Sequence, residues 1–356
     1  VVVIDEFTYW VRAEPRVVGE LQRFVDHVLP RTRLMMVLIG SLVGIMYRDV
    51  LGGGAPLYGR ARFRLRVGEL EPWHIPLFYP WLRRDDWVRV YALLGGVPYY
   101  HALVGEGWGV DDVIRRLFLE PGSPLRDEAI FLLREEFRDY TTYYSILRAI
   151  AQGATSPSEI MNLTGIPRQH VTKYLHVLEQ LGFIVRERVL FTRRGIYRVG
   201  DRALATWFRL IEPTLTAGVT DAAEALRLIR GRLESHVAEA FEIVARKYVE
   251  SLMARGLIKY DELGRFLHKG VEIDLVAIDH TNKIAHLFEV KWSDLGEDDV
   301  RRIGRELLAK ARYIPVENYE YRLHVIARGY SGSRLQDIEV VTLGEMPFIT
   351  KGTTTT

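Results

Sequence analysis

The sequence contains no cysteine, and only eight of its 48 basic residues are lysine. Without cysteine there is no disulfide framework, no thiolate nucleophile and no sulfur-ligated metal, which fits an intracellular protein. No apolar run approaches the roughly 18 residues of a membrane span, and no signal peptide is visible, so a cytoplasmic chain with no membrane partner is expected. Net charge is nearly absent as well, at +2 over 356 residues. Affinity for nucleic acid must then come from local patches. The dipeptide Gly-Lys occurs nowhere, which excludes the Gly-x-x-x-x-Gly-Lys-Ser/Thr loop that cradles nucleotide phosphates. The length suffices for two to four domains with proper cores.

What is present begins at Val1. Val1-Val2-Val3-Ile4 followed by Asp5-Glu6 reads as a buried parallel strand, covered on both faces, ending in two acids. Pro15–Val28 reads as a helix, Leu34–Ile39 as a second buried strand closed by Gly40-Ser41, and Arg60–Val67 as a half-buried strand with one arginine face. Residues 79–139 are helical and rich in Trp, Leu and Arg, with Trp73, Trp81, Trp87 and Trp108 expected in a core or interface.

The phrases Val-Ile-Asp-Glu-Phe (3–7), Leu-Ile-Gly-Ser (38–41), Leu-Tyr-Gly-Arg (57–60), Gly-Gly-Val-Pro-Tyr-Tyr (95–100) and Leu-Leu-Arg-Glu-Glu-Phe (132–137) resemble the archaeal P-loop ATPase family of the AAA+ and STAND kind. The resemblance implies that residues 1–78 are the C-terminal half of an α/β ATPase domain and 79–139 its helical lid. It makes Asp5 the Walker B acid on the Mg²⁺ side, Glu6 the residue that polarises water, and Ser41 the sensor. Arg48 and Arg60 become candidates for facing phosphate or a partner, and oligomerisation through the ATPase domain is expected. Because the phosphate loop is missing, the chain as written is expected neither to bind nor to hydrolyse ATP appreciably. Residues upstream of Val1 are expected in the natural protein, since the loop's own strand would pair with Leu34–Ile39 and Arg60–Val67.

Residues 140–212 read as a winged helix-turn-helix. Tyr143–Gln152 is a first helix. Thr155-Ser156-Pro157-Ser158-Glu159 carries a cap, a proline and a capping glutamate for a second, and Gly165-Ile166-Pro167 is the tight turn. Arg168–Leu181 is the recognition-helix candidate, burying Val171, Tyr174, Leu175 and Leu178 and offering Arg168, Gln169, Thr172, Lys173 and His176. Two strands, Ile184–Phe191 and Ile196–Val199, flank an Arg193-Arg194-Gly195 tip, and Arg186 and Arg188 add to a basic wing suited to phosphate or minor-groove contact. DNA is the expected partner. An internal packing module is the other reading of the same pattern. His170 and His176 are expected as surface or packing residues.

A connecting helix is expected over 213–235, then helix, three strands, helix, strand, strand over 236–345 and a disordered tail over 346–356. Glu289 and Lys291 sit at i and i+2 on one strand face, with Asp274 on the preceding strand able to face them. An acid followed by Glu-x-Lys resembles the PD-(D/E)xK, restriction-endonuclease-like superfamily. That resemblance implies Mg²⁺ held by Asp274 and Glu289, Lys291 beside the scissile phosphate, and Glu242 as a further acid; Glu239 and Glu272 are lesser candidates. The expected whole is an α/β multidomain protein: partial P-loop NTPase domain, helical lid, winged helix, nuclease-like domain. The alternative is a non-catalytic DNA-binding regulator with a nuclease-like scaffold.

Overall fold

The valines that open the chain do form a strand, but a sparsely covered one. In the computed structural model, which describes residues 1–350, β1 (Val2–Ile4) runs parallel to β2 (Met36–Leu38), with Val3 opposite Val37. Among the described residues these two strands form a sheet of their own. Phe7 and Val11 of α1 (Phe7–Ala13) and Val17 and Val18 of α2 (Val17–His27) join Val50 and Leu57 in a small core of their own. The expectation that Val1–Ile4 is buried on both faces fails: Val3 is 56% exposed, because a two-stranded sheet has too few neighbours to cover it. The strand expected at Arg60–Val67 is likewise corrected. Residues 61–70 have no regular structure, and Phe63, Leu65 and Val67 are 91%, 88% and 85% exposed. Period-2 alternation makes a strand only when a neighbour accepts its backbone hydrogen bonds, and none does here.

The helical region buries heavily. α3 (Arg84–Leu94) puts Trp87, Val88 and residues 90–94 into the main core, and Trp87 donates its indole N–H to the Tyr79 carbonyl at 2.9 Å. Trp73 packs edge-on against Phe348, and Trp81 donates to the Trp108 carbonyl. Gly95 and Gly96 have steric reasons to be glycine. Gly95 ends α3 at φ 70°, and a Cβ on Gly96 would collide with the Leu70 carbonyl oxygen. α4 (Glu128–Glu136) leads to three helices: α5 (Tyr140–Ala151), α6 (Pro157–Thr164) and α7 (Arg168–Leu181). The cap of α6 forms as the sequence predicts: Glu159 N–H donates to Ser156 Oγ at 3.3 Å, and Ser156 N–H donates to Glu159 Oε2 at 2.9 Å. Gly165 supplies the left-handed turn before α7. Val171, Leu175 and Leu178 are buried, and Tyr174 is half-buried.

The wing is β3 (Ile184–Arg188) antiparallel to β4 (Gly195–Val199). It is shorter than the expected Ile184–Phe191. Val189 and Leu190 leave the hairpin to bury themselves against the C-terminal sheet, where Leu190 N–H donates to the Arg265 carbonyl at 2.9 Å. α8 (Ala222–Ala254) is a single helix of 33 residues, started by Asp221 accepting from Glu224 N–H at 2.8 Å. It begins inside the expected 213–235 connector and runs unbroken past 236, so connector and C-terminal region share one rod.

The C-terminal sheet comprises β5 (Glu262–His268), β6 (Val271–Asp279), β7 (Ile284–Gly296), β8 (Glu320–Ser331) and β9 (Ile338–Thr342), hydrogen-bonded in sequence order. β5, β6 and β7 are antiparallel; β7, β8 and β9 are parallel, with α9 (Glu297–Ala311) crossing between β7 and β8. One face, with Leu275, Ala277, Phe288 and Val290, joins the core shared by the helical region, winged helix and α8. The other, with Ile273, Val276, Leu287 and Val325, packs on α9. The tail expectation is corrected for its first residues: Met346 is buried and Phe348 packs on Trp73 and Trp87. Residues 351–356 lie outside the described residues.

Candidate functional site

Two sets of acids, one at a strand end and one within adjacent strands, were expected to do chemistry, and their surroundings differ. In the N-terminal set Glu6 follows β1 in the left-handed region, at φ 51°, uncommon for a residue with a Cβ. Ser41 Oγ donates to Glu6 Oε2 at 2.7 Å, and Glu6 N–H donates to Asp5 Oδ1 at 2.9 Å. The three residues therefore meet where two parallel strands end, all of them exposed. Arg48 is not aimed at them: its guanidinium makes two bonds of 2.8 Å to Asp49. Arg60 forks onto Asp26 at 2.6 and 2.8 Å and holds the Asp26 carboxyl below its ordinary range. Both candidate phosphate-facing arginines already hold partners.

The C-terminal set is assembled by a β-bulge. Between Gly264 and Phe266 the register of β5 against β6 shifts, so Arg265 stands opposite two residues, Asp274 and Leu275. A bulge re-aims the side chain it displaces. Arg265, 3% exposed, reaches Asp274 Oδ1 at 3.5 Å and Glu187 Oε2 at 3.4 Å, and pairs closely with Glu242 and Glu272. Asp274 Oδ2 accepts from Val290 N–H at 2.8 Å, tying β6 to β7 beside Glu289. Glu289 is buried and takes Lys291 Nζ at 2.7 Å on one oxygen and Lys310 Nζ, from α9, at 3.1 Å on the other. So Asp274, Glu289 and Lys291 do come together, and Glu242 and Glu272 reach the same place through Arg265. Glu239 does not: it pairs with Arg202 at 3.1 Å and with Arg209.

Electrostatics follow from burial. Desolvation, then the neighbouring Glu289 charge, pushes the Asp274 carboxyl up to about 6, against the opposing Val290 N–H and Arg265. Burial of the Lys291 ammonium opposes its charge, but the Glu289 hydrogen bond and the charges of Glu289, Asp274 and Glu242 together outweigh that, and its affinity for the proton rises. Glu187 is desolvated too, yet Arg265, Arg198 and Arg246 hold its carboxyl below the usual range.

The expected metal ligands Asp5, Asp274 and Glu289 do not form a cation cage. Among the described residues no three acids or histidines gather so as to hold a metal ion. Asp5 stands at an open corner, and the buried acids each hold an arginine or lysine instead. As arranged, these residues do not fit Mg²⁺.

Sequence reasoning missed Arg265, Glu187 and Lys310. Arg265 had a signal, a lone arginine inside the apolar run Leu263-Gly264-Arg265-Phe266-Leu267; Glu187 and Lys310 come from distant elements and had none.

The nucleic-acid candidates sort into two groups. Arg168, Gln169, Thr172 and Lys173 are exposed on the first two turns of α7, and Arg168, Lys173, Arg193 and Arg194 enter no ion pair among the described residues. His170 and His176 are exposed. Arg186 instead donates to the Arg193 carbonyl at 2.7 Å, bracing the tip, and Arg188 pairs with Glu262 of the C-terminal sheet. Both side chains remain exposed but already hold partners within the protein, Arg188 because Val189 and Leu190 draw the wing onto β5.

The protein is therefore a mixed α/β, multidomain protein built around a winged helix. The MarR family model matches residues 141–195, the same segment, and a winged helix of that kind suggests DNA binding. Residues 207–303 match a family described as archaeal and bacterial proteins of unknown function, DUF234. The chain is 33% identical over 339 residues to uncharacterized protein MJECL04 of Methanocaldococcus jannaschii, covering 92% of this chain and 75% of that protein. The chain belongs to the family of that archaeal protein. No described helix is long and apolar enough to cross a membrane.

Proposed function

We propose that this chain is a sequence-reading regulator that binds duplex DNA, with the start of α7 in the major groove and the Arg193-Arg194 tip on the backbone. The carrying observation is a division among exposed arginines: those at the recognition helix and wing tip enter no ion pair among the described residues, while Arg186 and Arg188 are held by the Arg193 carbonyl and by Glu262. Base edges are read by residues early in a recognition helix, and tip arginines add salt-dependent phosphate contacts. Fluorescence anisotropy with duplex DNA over a salt series tests this. The double variant Arg193→Ala/Arg194→Ala is expected to flatten the slope of log K against log salt by about 2. Absence of salt-dependent binding by the parent overturns the reading.

The hydrogen-bonded Asp5, Glu6 and Ser41 corner supports a second layer, in which residues 1–78 are part of a P-loop ATPase domain whose nucleotide state sets the winged-helix arrangement in a longer form. This chain alone is not expected to hydrolyse ATP; Glu6-dependent hydrolysis by it would contradict that. The C-terminal sheet is read as a nuclease-like scaffold that anchors the wing. Cleavage of DNA or RNA in Mg²⁺ or Mn²⁺ that Lys291→Ala abolishes would replace scaffold with phosphodiesterase.

A further inference from the structure

We infer that Arg265 is a resident cation: its guanidinium takes the place a divalent metal ion would occupy among the C-terminal acids, and in doing so fastens the wing to the sheet. The inference concerns ion chemistry at β5 and β6 and stands or falls without DNA.

Three observations carry it. The first is position. Four carboxylates from three parts of the chain converge on one buried guanidinium: Glu187 from the wing, Glu242 from α8, Glu272 and Asp274 from β6. A planar group with five donors satisfies several carboxylates at once and cannot lose its proton. The bulge at Gly264 and Phe266 places it there.

The second is charge balance. The acids are Glu187, Glu242, Glu272, Asp274 and Glu289; the bases bonded to them are Arg198, Arg246, Arg265, Lys291 and Lys310. The two sets match in number, so no surplus negative charge remains to repay the dehydration of a divalent ion. A metal could enter only by displacing the guanidinium from the carboxylates it now holds.

The third is connectivity. The Arg265 backbone carbonyl accepts from Leu190 N–H at 2.9 Å, so the residue whose side chain holds Glu187 also holds the wing's backbone. Arg198, on β4, and Arg246, on α8, complete the clamp on Glu187 at 3.1 and 2.8 Å. The ion thus fixes the direction in which the Arg193-Arg194 tip points.

The test is Mn²⁺ titration of the full chain by calorimetry, comparing the parent, Asp274→Asn, Arg265→Met and the double variant. In the parent background Asp274→Asn is expected to change Mn²⁺ affinity by less than about twofold, whereas in the Arg265→Met background it lowers a newly acquired affinity by about tenfold or more. Limited proteolysis of the wing tip is expected to quicken in Arg265→Met and to slow again when Mn²⁺ is added. Saturable Mn²⁺ uptake by the parent that Asp274→Asn removes overturns the inference, as does a folded Arg265→Met chain that gains no Mn²⁺ site. Should Arg265→Met not fold, Arg265→Gln, which keeps two donors but no charge, carries the same comparison.

Discussion

The chain has two places where a strand delivers acids, and they have opposite fates. At Asp5 and Glu6 the strand has one neighbour and an exposed face, and the acids stand in water, Asp5 accepting from Glu6 N–H and Glu6 from Ser41 Oγ. At Asp274 and Glu289 the strands lie inside a five-stranded sheet between α8 and α9, and each acid is partnered by a base. The difference teaches that an acid on a strand acquires its chemistry from what is packed around it. Apolar cover desolvates the carboxylate, and the fold must then supply either a proton or a cation.

The sharpest way to break this comparison is to remove apolar cover in both regions. Leu287→Ala, in the sheet core, is expected to cost about 4 kcal/mol in urea unfolding, while Val3→Ala costs less than about 1 kcal/mol. Equal losses would mean that the N-terminal pair is packed far better than its exposure indicates. Next comes pH. Asp274 is raised to about 6 in the folded chain, so folding favours its protonated form. The stability this contributes is present below the unfolded value near 4 and is lost as pH rises through about 6. Relative to Asp274→Asn, the parent is expected to lose up to about 3 kcal/mol between those limits. Chemical denaturation at a series of pH values measures both.

A smaller effect is expected at the wing clamp. Glu187→Gln keeps a hydrogen-bonding group but leaves Arg265, Arg198 and Arg246 short of one charge, at a cost of about 2 kcal/mol. The smallest is Ser41→Ala, which removes one exposed hydrogen bond to Glu6 and should shift stability by no more than about 1 kcal/mol. A loss at Ser41 matching that at Glu187 would show that the N-terminal corner is a structural anchor.

Legibility varied with how local the cause was. The capping pair Ser156 and Glu159, the turn at Gly165 and the buried stripe Val171, Leu175 and Leu178 were readable because their partners lie within a few residues along one helix. The succession of strands and helix from 262 to 342 was readable from period-2 runs, but the parallel pairing of β7, β8 and β9 was not. Arg60–Val67 was misread because its alternation needed a neighbour that the described residues do not provide. The wing's end was misread because Val189 and Leu190 answer to β5, some 75 residues away in sequence, and not to β4.

The sequence by itself determined the winged helix and the acids and lysine of the C-terminal sheet, because each is a matter of residue type at short spacing. Only the tertiary structure decided what those acids hold. Arg265, Glu187, Glu242 and Lys310 come from four separate elements, and a buried carboxylate takes whichever cation the packing brings within reach. That is a property of the assembled fold and of no local stretch of the chain.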